Sequence, residues 1–176
     1  MPATRHDLLV QEITQTTDGF LKALDDVPED RWNYTPSAEV WSVGQTAEHT
    51  AGVFRGIQRL LQKKLLDNPF PEGVRSPIGD EVIVQSMFNR EKRYNAPEFA
   101  LPTGKWTSRE PLVTEFVESR RLMLAWIDGV TEDLRAYFAP HPMIGTMDGV
   151  QWLLFAAAHT ERHTRQIIEF RRSAGF

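Results

Sequence analysis

The amino-acid sequence predicts an all-α fold, a four-helix bundle with one long crossover connection. Three observations carry that prediction. Four long segments repeat apolar residues at three- and four-residue intervals, the spacing of one helix face. No segment alternates apolar and polar residues as a half-buried strand would, and there is no internal repeat or low-complexity tract. Between the second and third periodic segments lie forty residues, 68–107, with five of the eleven prolines, which reads as a crossover packed over one end of the bundle.

The first helix opens at Thr4, with Asp7 at capping-box spacing, and runs through Leu9, Ile13, Thr16, Phe20 and Leu24 until Pro28 closes it. The second begins at Ser42, where Ser42-x-x-Gln45 is again a capping box. Its stripe is Val43, Ala47, Thr50, Phe54, Ile57, Leu61 and Leu65, and Asn68-Pro69 ends it. Within the crossover, Asp80–Arg93 is expected to form a short helix, because a structureless loop of forty residues is unusual in a compact domain. The third long helix starts near Ser108, with Pro111 tolerated in its first turn, and carries Val113, Phe116, Arg120, Met123 and Ile127 up to Gly129. A further short helix is expected over Thr131–Phe138, before Pro140. The fourth covers about Met147 to Ser173, with Trp152, Ala156, His163, Ile167 and Phe170 on one side and Gly175 as its stop.

The chain's 176 residues fit one domain, spanning 1–176, with a core large enough to need no staple. None is available, since the absence of cysteine excludes disulfides, thiolate ligands and a cysteine nucleophile. A formal charge of −4 and scattered cations argue against a nucleic-acid surface. The longest apolar run, Trp152–Ala158, is far short of the roughly 20 residues of a membrane-spanning helix. The first residues, MPATRHDLLVQ, have no apolar core of signal-peptide type, so a cytoplasmic protein without membrane partners is expected.

Chemistry concentrates on histidine. His159 and His163 stand at i, i+4 in the last helix, one turn apart on a face shared with Trp152 and Gln166. Thr160 occupies the place where a zincin carries its general-base glutamate, so that pattern is absent. His49 lies two turns into the second helix, on a face with Gly52, Val53, Gly56 and Leu60, whose glycines would let a neighbouring helix approach. By spacing alone, the i, i+4 pair is either part of a metal site or two half-buried polar residues.

The residues around these histidines form a recognisable pattern. Trp41-Ser-Val-Gly-Gln-Thr-Ala-Glu-His49 resembles the W-S-x-x-x-x-x-x-H opening of the second helix in the DinB-like superfamily of metalloenzymes. His141-Pro-Met-Ile-Gly145, Trp152 and His159-x-x-Arg162-His163-x-x-Gln166-Ile167 are similar to that family's closing signature, in the same order and at the same separation. The resemblance runs from the first helix to Phe170. It implies a four-helix bundle, usually a homodimer, with one divalent metal, zinc or nickel foremost, on three histidines. Transferred residue by residue, those ligands are His49, His159 and His163. Characterised relatives transfer or rearrange low-molecular-weight thiols, bacillithiol and mycothiol among them, on small electrophiles. The resemblance therefore implies a small-molecule substrate and a low-molecular-weight thiol beside the metal.

Three neutral imidazoles leave an open position on zinc, as catalytic sites do. Such a site lowers the pKa of a bound water or deprotonates a bound thiol. The neighbouring residues admit two roles each. Gln45 either touches the substrate or closes the Ser42 cap, Gln166 either supports His163 or bonds between helices, and Trp152 either walls the pocket or packs in the core. Glu48 and Arg162 are expected to pair across helices, Glu161 to be solvated, His141 to be structural in a loop and His6 to be exposed. Three functions compete: a thiol transferase, whose open site should face polar and cationic groups; a hydrolase, which needs a carboxylate near the bound water; and a metal-binding bundle without catalysis. Glu48, Glu115 and Glu118 are the carboxylates the sequence nominates for the hydrolase.

Overall fold

The apolar stripes become helices where the spacing places them. In the computed structural model, which describes residues 5–89, 95–173 and 176, α1 spans Arg5–Asp25, α2 Val43–Lys63, α3 Asp80–Phe88, α4 Arg109–Gly129 and α5 Gly149–Arg171. The Thr4 cap and the Gly175 stop lie outside the described residues. Leu9, Ile13, Phe20 and Leu24 of α1 are buried, as is the whole predicted stripe of α2. Each interior aromatic or branched aliphatic side chain of this kind contributes about 1.5–3 kcal/mol relative to exposure.

The caps divide by chemistry. Ser42 Oγ accepts from the Gln45 N–H while Gln45 Oε1 accepts from the Ser42 N–H, so two amides that α2 cannot satisfy itself are bonded. Asp148 and Gln151 do the same for α5. Ser108 precedes α4 without capping it.

α1 packs on α5 and α4, and α2 packs on the same two helices, so the four long helices touch in a closed ring. α3 lies against α5 through buried Ile83 and Met87. It ends at Phe88, short of the expected Arg93; residues 90–93 lie outside the described ones. Arg135 fastens this crossover by bonding both Asp80, at the start of α3, and buried Asp148, at the start of α5. Gln151 adds bonds to the Ile78 carbonyl and to Asp80.

The sheet is a correction to the all-helical expectation. Strands β1 (Phe138–His141) and β2 (Gly145–Asp148) pair antiparallel, with Phe138 opposite Asp148 and His141 opposite Gly145. Gly145 takes φ +106°, a conformation that favours glycine, at the turn. The expected helix over Thr131–Phe138 shrinks to one 3₁₀ turn, Leu134–Ala136, capped by Asp133. The backbone there is drawn elsewhere: the Phe70 N–H donates to the Ala136 carbonyl and the Phe138 N–H to the Asn68 carbonyl. α5 consequently begins two residues later than its stripe suggested, after β2. Among the described residues, no helix is long and apolar enough to cross a membrane.

Candidate metal centre

Packing of α2 on α5 brings together what spacing along the chain leaves apart. His49 meets His159 and His163, with ring centroids 5.1 and 4.9 Å away, and the two α5 rings are 4.5 Å from each other. One ring nitrogen from each lies within 4.8 Å of the others. His49 Nε2 is 3.3 Å from His159 Nε2.

The far side of two rings decides which nitrogen faces inward. His49 Nδ1 is 2.7 Å from the Ala100 carbonyl, which can only accept, so Nδ1 carries the proton and Nε2 keeps its lone pair. His163 Nδ1 donates likewise to Gln166 Oε1 at 2.9 Å. Metal-ligating histidines are oriented this way, with the outer N–H held by a carbonyl or amide oxygen. Burial lowers the His49 pKa, and the Ala100 bond offsets only part of that. His159, still partly open to the cavity, is held well below the usual imidazole range by burial first, then by the repulsion that His163 and His49 would exert if protonated, and by the charges of Arg162 and Arg120. Neutral imidazole is the form that binds metal. The donor set is compatible with a divalent metal ion.

Arg120 is the unexpected part of the α4 stripe. Its guanidinium lies buried between the faces of Phe54 and Phe116, 3.4 Å from each centroid, and donates to Thr160 Oγ1 at 3.0 Å. No carboxylate among the described residues pairs with it, and burial lowers its pKa. The cation therefore sits behind His159 and disfavours a second positive charge there.

The three histidines line a cavity of about 1700 Å³ together with Trp152 and Gln166. Gln45 is not in this wall: its side chain closes the α2 cap. Trp152 is both wall and core, buried and donating from Nε1 to the Ala139 carbonyl. Gly52 and Gly56 admit no neighbouring helix, since a Cβ at either would meet nothing within 4 Å; they leave room in the cavity. Trp41 packs its ring 5.0 Å from that of His49.

Glu48 and Arg162 do not pair. Glu48 accepts from the Thr103, Gly104 and Lys105 amides and from Thr103 Oγ1, bonds that outweigh its burial and hold its pKa low. Arg162 donates to the Met87 and Asn89 carbonyls. Of the other nominated carboxylates, Glu115 is paired with Arg55 and Lys105, and Glu118 with Arg121 outside the cavity wall. Glu161 pairs with Arg165 one turn on, and His6 is exposed beside Asp7 and Asp128. His141, expected in a loop, instead ends β1 and lines the cavity.

Comparison with known proteins places the chain in a family. A sequence model described as DinB superfamily matches residues 12–167. The chain belongs to the DinB superfamily. It is 27% identical over 151 residues to an uncharacterized protein, YuaE, of Bacillus subtilis (strain 168), covering 86% of this chain and 88% of that one. No solved structure matches the chain significantly. Membership leaves the three-histidine group where the fold puts it, between α2 and α5 of a DinB protein.

Proposed function

We propose that this DinB protein is a metal-dependent enzyme, with His49, His159 and His163 holding one divalent ion, zinc or nickel, in a DinB-type four-helix bundle. The observation that carries the reading is the clustering of one ring nitrogen from each histidine within 4.8 Å, with the outer Nδ1 of His49 and of His163 held by the Ala100 carbonyl and Gln166. When bound, an ion on three neutral imidazoles supplies Lewis acidity at an open coordination position.

Among the competing chemistries, the wall favours thiol transfer to a small electrophile. The nominated carboxylates Glu48 and Glu115 are bonded to amides and cations, which leaves neither free to act as a hydrolase base. Arg59 lines the cavity as well, a cation that suits a carboxylate of a low-molecular-weight thiol. Trp41 packs on His49 at the cavity wall, and Glu48 holds the Thr103–Lys105 backbone against α2. No side chain needs to act as nucleophile, because the thiol would be one.

The test is turnover of a panel of small electrophiles by zinc- or nickel-loaded protein, with and without a cysteine-containing low-molecular-weight thiol. The reading expects product only when metal and thiol are both present. Hydrolysis of esters or amides without thiol would favour the hydrolase, and no turnover with any pair would leave a metal-binding bundle.

A further inference from the structure

His141 is a histidine of the cavity that the metal reading leaves unused. It stands at the end of β1, and its ring packs 4.7 Å from Phe155 and 5.3 Å from Trp152, centroid to centroid. Phe155 in turn lies 5.5 Å from His159, so one aromatic ring separates His141 from the histidine trio. The tight turn after β1 determines its tautomer. Two backbone N–H groups, of Met143 and Ile144, both donate to His141 Nδ1 at 3.2 Å. A nitrogen that accepts cannot carry the proton, so the neutral ring is protonated at Nε2. This is the opposite tautomer from His49 and His163. Among the described residues both hydrogen bonds of the ring fall on Nδ1 and none on Nε2, and the ring forms part of the cavity wall. Burial lowers the pKa of His141, which keeps the ring neutral at physiological pH.

We propose that His141 is a substrate-binding residue whose Nε2–H donates a hydrogen bond to a neutral carbonyl oxygen of the electrophilic substrate. The surroundings select that class. Ile78, Met143, Ile144, Trp152 and Phe155 supply apolar and aromatic wall on this side. One neutral donor in such a wall satisfies a ketone, ester or amide oxygen, whereas a carboxylate would lose more hydration than one neutral bond returns. The assignment builds on the enzyme reading for the word substrate, but its geometry does not involve the metal.

The test separates the two ring nitrogens. In His141→Asn the side-chain oxygen can replace Nδ1 and hold the turn, but nothing replaces the Nε2–H. In His141→Gln the terminal amide can replace the Nε2–H while the turn loses its acceptor. Binding of acetophenone and of isopropylbenzene, alike in shape except for the carbonyl, is measured by calorimetry on full-length wild type and both variants, with and without zinc. Wild type should prefer the ketone by about three- to tenfold, the scale of one net hydrogen bond. His141→Asn should melt like wild type and lose the ketone preference, because the carbonyl would then be buried without a donor. His141→Gln should melt lower and keep part of the preference. Long-range ¹H–¹⁵N histidine spectra of the wild type should show His141 in the Nε2–H form. Wild type that binds neither probe or does not discriminate, an Asn variant that keeps the preference, or an Nδ1–H tautomer would each overturn the assignment. If zinc fails to bind while the ketone preference and its loss in His141→Asn persist, the metal-enzyme reading fails and the carbonyl site stands.

Discussion

Gln166 and the Ala100 carbonyl touch no substrate in this proposal, yet they set which nitrogen each histidine offers. Removing such an outer partner costs metal affinity by about 10–100-fold. Gln166→Ala should therefore weaken zinc binding by that factor in a competition titration against a chromophoric chelator, and unchanged affinity would show that the Gln166 bond is incidental. Protons act on the same rings. Burial depresses His49 and His159 in the folded protein, whereas the unfolded chain protonates them near pH 6.5. Below that pH the unfolded state binds more protons, so the contribution of the neutral rings is complete above about pH 6.5 and is lost as the pH falls through the depressed folded values. Thermal melts of chelator-treated protein should show a falling Tm between about pH 7 and pH 5, and a His49→Gln/His159→Gln variant should show a shallower fall. Equal slopes would mean that other groups govern the acid limb. At this scale the sequence exposed the three ligand positions, through the i, i+4 pair and the Trp41-to-His49 motif. It concealed Ala100, because a backbone carbonyl has no residue signature, and it concealed the Glu48 clamp for the same reason.

The start of α5 joins cap, ion pair and crossover in one residue. Asp148 caps the helix, accepts from Arg135 and sits with 2% exposure, so Asp148→Ala removes a cap and leaves a half-buried guanidinium with Asp80 as its remaining carboxylate. The expected cost is about 2–4 kcal/mol, read as a lower urea midpoint with an unchanged slope. A variant within about 0.5 kcal/mol of wild type would show that Asp80 alone holds Arg135. The long helices were legible because each buries a full stripe, and the α2 cap because Ser42 and Gln45 stand three apart. The hairpin was not. Its strands are four residues each, too short to display alternation, and Pro140 inside β1 is a residue that ordinarily argues against a strand. Its pairing rests instead on contacts with residues 68–70, distant in sequence.

At the scale of the molecule, the ring of α1, α5, α2 and α4 follows from amphipathic periods, whereas the cavity does not. Its walls come from α2, α3, α4, α5, the hairpin and the Pro97–Trp106 segment together, and no local pattern specifies how those meet. Phe99, 84% exposed, and Val82, 57% exposed, leave apolar area at this wall, and two-fold pairing is the commonest way soluble chains cover such surface. We therefore expect a homodimer of about 40 kDa, twice the 20.2 kDa chain, in light scattering, and a monomer at micromolar concentration would refute it. The most direct test of the histidine centre is metal content. Protein purified at neutral pH without chelator, or loaded afterwards with zinc or nickel, should hold about one ion per chain, and His159→Ala should lose it while its helical circular dichroism persists. A wild type that stays empty after zinc, nickel and manganese loading, or a His159→Ala variant that keeps a full equivalent, would contradict the three-histidine site.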